Sequence, residues 1–154
     1  MSNHFADRLI DAVKAKGNAI CVGLDPRLNQ IPPHLRKQAL SEEKSPTKAA
    51  ADAILEFNQG IIDATHDIVP VMKPQIAFYE IFGSEGIWAY QETLKYAKSK
   101  GIITIADAKR NDIGSTAAAY ATAFLGESEI FEGTDDEIIM PMFDADSITV
   151  NAYL

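Results

Sequence analysis

Asp107, Lys109 and Asp112 form an Asp-x-Lys-x-x-Asp element that begins where the apolar run 101–106 ends. Lys73 follows the apolar run 68–72 in the same way, and Asp25 follows the run 19–24. Lysines and aspartates alternating at one end of a sheet have a specific chemical use. Opposite charges hold each other in their ionised forms. Such an array repels a substrate carboxylate, stabilises a carbanion formed beside a lysine, and lets that lysine deliver the proton. Metal-free decarboxylation of an unactivated carbon needs those properties. Any one of these residues alone reads as part of an ion-pair network at a barrel mouth. Lys73, Asp107, Lys109 and Asp112 together favour chemistry.

The elements that must position them alternate between strand and helix, which predicts a parallel sheet. Phe5, Leu9 and Val13 share a helical face, and Gly17 ends that helix. Residues 19–25 form a first strand, and 27–45, with Pro32-Pro33, read as a loop. Ser45-Pro46 opens a helix as N-cap and first helical residue, with Ala50, Ile54, Phe57 and Ile61 as its buried stripe. Ile68 to Met72 is a second strand, and a Gly83–Gly86 loop leads to a helix over about 86–99. Residues 101–106 form a third strand. A small-residue helix over about 114–125 follows it, and 147–150 form a fourth strand.

Within the third strand, Ile103, Ile105, Asp107 and Lys109 share one face, and Val69, Val71 and Lys73 share one face of the second. If the third strand continues, Asp107 and Lys109 lie about 6.6–7 Å apart. Arg110 has the opposite parity and points away. Charged groups at the C-terminal ends of parallel strands are where α/β barrels hold their active sites.

The 154 residues are too few for a whole barrel, which takes about 250. Four strand–helix steps make half of one, and the last strand, with no helix after it, leaves an apolar face uncovered. The expectation is therefore a truncated or cleaved chain. Residues 1–154 would supply the N-terminal half of a single (β/α)8 barrel domain, with the C-terminal half absent.

Composition bounds the partners. The chain is 47% hydrophobic and 23% charged, with 14 Lys+Arg against 22 Asp+Glu and a net charge of −8. That balance argues against nonspecific nucleic-acid or anionic-membrane binding, yet a few local cations can still hold one phosphate. Cys21 is the single cysteine, so neither an internal disulfide nor a cysteine-based zinc site can form. The N-terminal segment contains Asp7 and Asp11 and lacks the apolar core of a signal peptide. No run approaches the roughly 18 apolar residues of a membrane span. A cytoplasmic protein is expected.

Asp-Ala-Lys-Arg-Asn-Asp-Ile-Gly (107–114) resembles the signature of orotidine 5′-phosphate decarboxylases, in their longer bacterial subgroup. Segments 23–26, 72–80 and 149–151 fall where that subgroup has similar ones, and 57–58 with 61–65 add support. The resemblance runs from about 19 to 154 and is weakest over 127–143. It implies an α/β barrel that decarboxylates orotidine 5′-monophosphate to UMP without cofactor or metal, as a homodimer. By position, Lys109 protonates C6, Asp107 crowds the substrate carboxylate and holds the lysines, and Lys73 binds a ribose hydroxyl. Asp25 binds a ribose hydroxyl, Asp112 reaches into the partner subunit's site, and Thr116 contacts the neighbouring subunit's ligand. Gln75 and Asn151 are further substrate-binding candidates, each equally able to serve as strand-end structure.

The sequence departs from the subgroup in places. Asn111 stands where glycine is common, and Ala152 replaces a usual proline. A stretch at 127–137 carrying Glu127, Glu129, Glu132, Asp135, Asp136 and Glu137 reads as a solvated surface insertion, about 127–143 at its widest. The phosphate-gripping loop and the pyrimidine contacts of the family lie beyond its fourth strand. Two other readings remain open. Sugar-phosphate decarboxylases and aldolases of the same superfamily use a similar Asp-x-Lys-x-x-Asp element with Mg²⁺; Arg110-Asn111 and Lys73-Pro74-Gln75 favour the first reading. The third is an inactive half-barrel that needs a complement. His4, His34 and His66 have no ligand spacing, Cys21 reads as a small core residue, and Trp88, Tyr79, Tyr90, Tyr96 and Tyr120 read as core or rim.

Overall fold

The computed structural model describes residues 4–42 and 45–153. Leu154, where the strand–helix alternation stops, lies outside them, as do Glu43 and Lys44. In chain order the elements are α1 (Phe5–Lys16), β1 (Cys21–Leu24), a 3-10 turn (Leu28–Gln30), α2 (Pro33–Glu42), α3 (Pro46–Thr65), β2 (Val71–Pro74), α4 (Ala77–Glu80), α5 (Gly83–Ser99), β3 (Ile103–Ala106), α6 (Gly114–Leu125), β4 (Ser128–Ile130), β5 (Ile138–Met140) and β6 (Ser147–Ile148).

The expected parallel sheet is present. β1, β2, β3 and β6 lie side by side in that order, every pairing parallel. α3, α5 and α6 are the crossovers between successive strands, as parallel pairing requires. Strand parity decides the core. Leu24, Met72 and Ala106 face the helices and are fully buried, and Ile62, Ala97 and Ile102 pack with Leu24 and Met72. The opposite face of β1 is open, with Cys21 and Gly23 exposed. Cys21 is thus not the core residue expected of it: β1 is the sheet edge, and its odd positions turn away from the helices.

Several boundaries differ from the sequence reading. Residues 33–42 are helical, not loop, because Pro33 opens α2 at a position where its missing N–H costs nothing. β2 begins at Val71, and Ile68 is exposed. In α3, Ala50 and Ile54 are buried as expected, with Ala51, Asn58 and Ile62 beside them, whereas Phe57 and Ile61 are only half-buried. The Gly83–Gly86 stretch is the first turn of α5, not a loop. A Cβ at Gly86 would lie 1.8 Å from the Tyr79 carbonyl oxygen, so only glycine lets α5 approach α4 this closely. The acidic stretch is a surface element as expected, but it forms an antiparallel ribbon, β4 paired with β5.

Buried polar groups tie the layers. Asn58 donates to the Tyr79 hydroxyl at 2.8 Å and to Thr93 Oγ1 at 3.2 Å, joining α3, α4 and α5 inside the core. α1 crosses the N-terminal ends of the strands: Lys16 donates to the His66 carbonyl, and Arg8 pairs with Asp146, just before β6. Asp146 also accepts from the Thr104 backbone N–H at 2.9 Å and from its hydroxyl at 3.2 Å. Its side chain is 3% exposed. Asp146→Ala strands the Thr104 amide and one end of the Arg8 pair, and is expected to cost about 3 kcal/mol. The urea midpoint falls with an unchanged m value; a loss below about 0.5 kcal/mol would contradict this role.

Candidate active site

β3 ends at Ala106, but the chain stays in register for one more residue. Asp107 bridges Gln75 as an isolated parallel pair, its N–H donating to the Pro74 carbonyl at 3.1 Å. The strand does not continue to Lys109, contrary to the parity argument. Lys109 takes a left-handed backbone, φ 50°, which costs a residue with a Cβ about 1–3 kcal/mol. The turn folds the lysine back, and its Nζ reaches Asp107 Oδ1 at 2.5 Å. Asn111, standing where glycine is common in the resembling subgroup, is not among the residues with positive φ, so its backbone does not require glycine.

Asp107 is the hub. Oδ2 accepts from Lys73 Nζ at 2.7 Å and from Gln75 Nε2 at 2.8 Å. Oδ1 accepts from Lys109 Nζ and from Thr149 Oγ1, the latter at 2.9 Å. Those four bonds use all the lone-pair sites of a carboxylate. Asp107 is only 7% exposed, whereas the Lys109 side chain is 62% exposed. Burial by itself raises the Asp107 pKa, but the bonds from Lys109, Lys73 and Thr149 outweigh it and hold the carboxyl at about 2. Burial works against the Lys73 ammonium, yet the bond and charge of Asp107, with Asp25 and Cys21 adding, leave its pKa above the ordinary value.

A depressed carboxylate stabilises the fold above its unfolded pKa and loses that contribution as pH falls. For Asp107 the window runs from the ordinary 3.8 down to about 2. The stability gap between the parent and Asp107→Asn is therefore constant between about pH 5 and pH 8, and narrows between about pH 4 and 2. Urea midpoints of both proteins across that range check it; a gap that closes near pH 6 would contradict the ionised hub.

The other candidates divide. Gln75 joins the hub, and its Oε1 accepts from the Ala77 N–H at 3.2 Å. Asp25 follows β1 and acts on Lys73 by charge. Asp112 is exposed and accepts from the Ile113 N–H, outside the hub. Thr116 is exposed on the first turn of α6. Asn151 accepts from the Tyr153 N–H and, with Asp107, Lys109 and Thr149, lines a cleft of about 380 Å³. A second, mostly apolar cleft of about 390 Å³ lies between α6 and β6, lined by Asp112, Tyr120, Leu125 and Ile148. Arg110, past the end of the strand, points away from the hub and binds Glu80 at 2.6 Å and the Ala108 carbonyl at 2.7 Å. Thr149 carries no role in the sequence reading. A hydroxyl at the end of the neighbouring strand was the available signal.

The family model described as orotidine 5′-phosphate decarboxylase / HUMPS family matches residues 18–153. The chain belongs to this family. The orotidine 5′-phosphate decarboxylase of Clostridium novyi is 46% identical over 148 residues, 96% of this chain and 44% of that protein. The Rhodopirellula baltica orotidine 5′-phosphate decarboxylase is 44% identical, over 97% of this chain and 46% of its own length. The structure of Leishmania donovani OMP decarboxylase superposes with a TM-score of 0.62 at 32% identity, over 95% of this chain and 43% of that one. The chain therefore spans a little under half the length of the family members it matches. Its parallel strands and helices correspond to the first half of the decarboxylase (β/α)8 barrel. Among the described residues, no helix is long and apolar enough to cross a membrane.

Proposed function

We propose that this chain carries the catalytic array of an orotidine 5′-monophosphate decarboxylase, which forms UMP in pyrimidine nucleotide synthesis. The observation that carries the reading is the Asp107 carboxylate bonded at once to Lys73 and Lys109, in a chain that belongs to this family. Asp107 repels the substrate carboxylate and pairs with both lysine ammonium groups. The bond from C6 to the carboxylate breaks, CO₂ leaves, and the electron pair stays on C6 beside the Lys109 ammonium. Lys109 gives its Nζ proton to C6 and regains one from water. Preorganised charge of this kind acts mainly on the transition state.

Lys73 and Asp25 bind ribose hydroxyls, and Gln75 and Asn151 contact substrate at the strand ends. On this reading Asp112 and Thr116, both exposed, serve a neighbouring subunit's site in a homodimer. On this reading the protein works in the cytoplasm. The chemistry needs no cofactor or metal. On this reading the 154 residues alone turn over little or no substrate, because the family's phosphate grip and pyrimidine contacts come from the other half of the barrel.

The test joins this chain to the second half of the Clostridium novyi relative in one polypeptide, hereafter the joined chain. The expected result is conversion of orotidine 5′-monophosphate to UMP. A folded joined chain that forms no UMP would overturn the reading.

A further inference from the structure

The Thr149 hydroxyl has no part in the steps above. Yet it stands between the two groups that carry them. Its oxygen accepts from the Lys109 backbone N–H at 3.1 Å, and its proton goes to Asp107 Oδ1 at 2.9 Å. The direction is forced, because an amide can only donate and an ionised carboxylate can only accept. We propose that Thr149 is a positioning residue: its hydroxyl ties the Asp107 carboxylate to the Lys109 backbone and so aims the Lys109 ammonium. That role rests on the decarboxylase reading.

Two observations separate this role from simple sheet structure. First, the Thr149 backbone already joins β3 to β6 without the side chain. Its N–H donates to the Ala106 carbonyl at 3.0 Å, and its carbonyl accepts from the Arg110 N–H at 3.2 Å. Removing the hydroxyl leaves those bonds in place. Second, the Lys109 side chain is too exposed for packing to aim it. Its direction comes from the left-handed turn at its own backbone and from the grip of Asp107 on its tip. The Thr149 hydroxyl holds both ends of that arrangement.

The test uses Thr149→Val, which keeps the shape and removes the hydroxyl, and Thr149→Ser, which restores it. In the 154-residue chain, ¹³C NMR follows the Asp107 carboxyl and ¹⁵N NMR follows the Lys109 amide. Valine is expected to raise the Asp107 titration midpoint by about one unit. It should also speed Lys109 amide exchange about tenfold. Serine should return both to the parent values. In the joined chain, valine is expected to lower kcat about tenfold with KM within about twofold, and serine to recover it. A folded valine variant whose Asp107 midpoint and Lys109 exchange match the parent overturns the proposal. If valine prevents folding, Thr149→Ala is read by the same two signals. An inactive parent joined chain would count against the decarboxylase reading alone, since both NMR signals are independent of turnover.

Discussion

Lys109→Ala in the joined chain lowers kcat for orotidine 5′-monophosphate by about 10³–10⁴-fold, the upper range for loss of a positioned proton donor. The substitution removes the one ammonium of the hub that reaches out toward the open cleft; its side chain is 62% exposed, against 33% for Lys73. The fold is expected to survive, because an exposed ion pair adds little stability. Alanine also relieves nothing at the left-handed backbone, since it has a Cβ too. Circular dichroism and a urea midpoint close to the parent's establish that the variant is folded. Steady-state kinetics then separate a kcat loss from a KM change. A variant within tenfold of the parent would mean that C6 takes its proton elsewhere.

Asp107→Asn is the second large effect, and it works through charge. The amide keeps the shape but turns one acceptor oxygen into an NH₂ donor. It then faces Lys73 Nζ and Lys109 Nζ, each of which bonds the carboxylate at 2.7 Å or less. The two ammonium groups lose their shared counter-charge, and the substrate carboxylate meets no negative charge. The expected loss is about 10²–10³-fold in kcat. Substrate binding in the ground state should hold or tighten, because the repulsion that Asp107 directs at the bound carboxylate is gone. Kinetics and a direct binding measurement on the same preparation check the pair of outcomes. A variant that loses binding while keeping its turnover rate would assign Asp107 to ground-state recognition.

The order of strands and helices was legible because apolar runs and helical stripes are local signals. Gly17 and Gly126 mark helix ends in sequence, and both do so in the fold. α2 was not legible, because Pro32-Pro33 suggests a loop, and nothing local says that Pro33 is a helix's first residue. Cys21 was misplaced because burial depends on whether its strand lies at the edge of the sheet, which is a tertiary fact. At the site, parity correctly brought Lys73 and Asp107 to one face. It failed at Lys109, whose approach to Asp107 comes from a left-handed turn. Thr149 was missed because its partners lie 40 and 42 residues away across a strand pairing. Gln75, a substrate-binding candidate equally able to serve as strand-end structure, bridges Asp107 at the strand end and donates to the hub.

The central claim is that a hub of Asp107, Lys73 and Lys109 decarboxylates a nucleotide without a metal ion. Its most direct test is the rate of UMP formation by the joined chain after exhaustive treatment with EDTA, beside the same treatment of Lys109→Ala. The expected result is a parent rate unchanged by EDTA and a variant rate near zero with or without it. A parent rate that EDTA abolishes and Mg²⁺ restores would contradict the account and favour the metal-dependent sugar-phosphate chemistry of the superfamily.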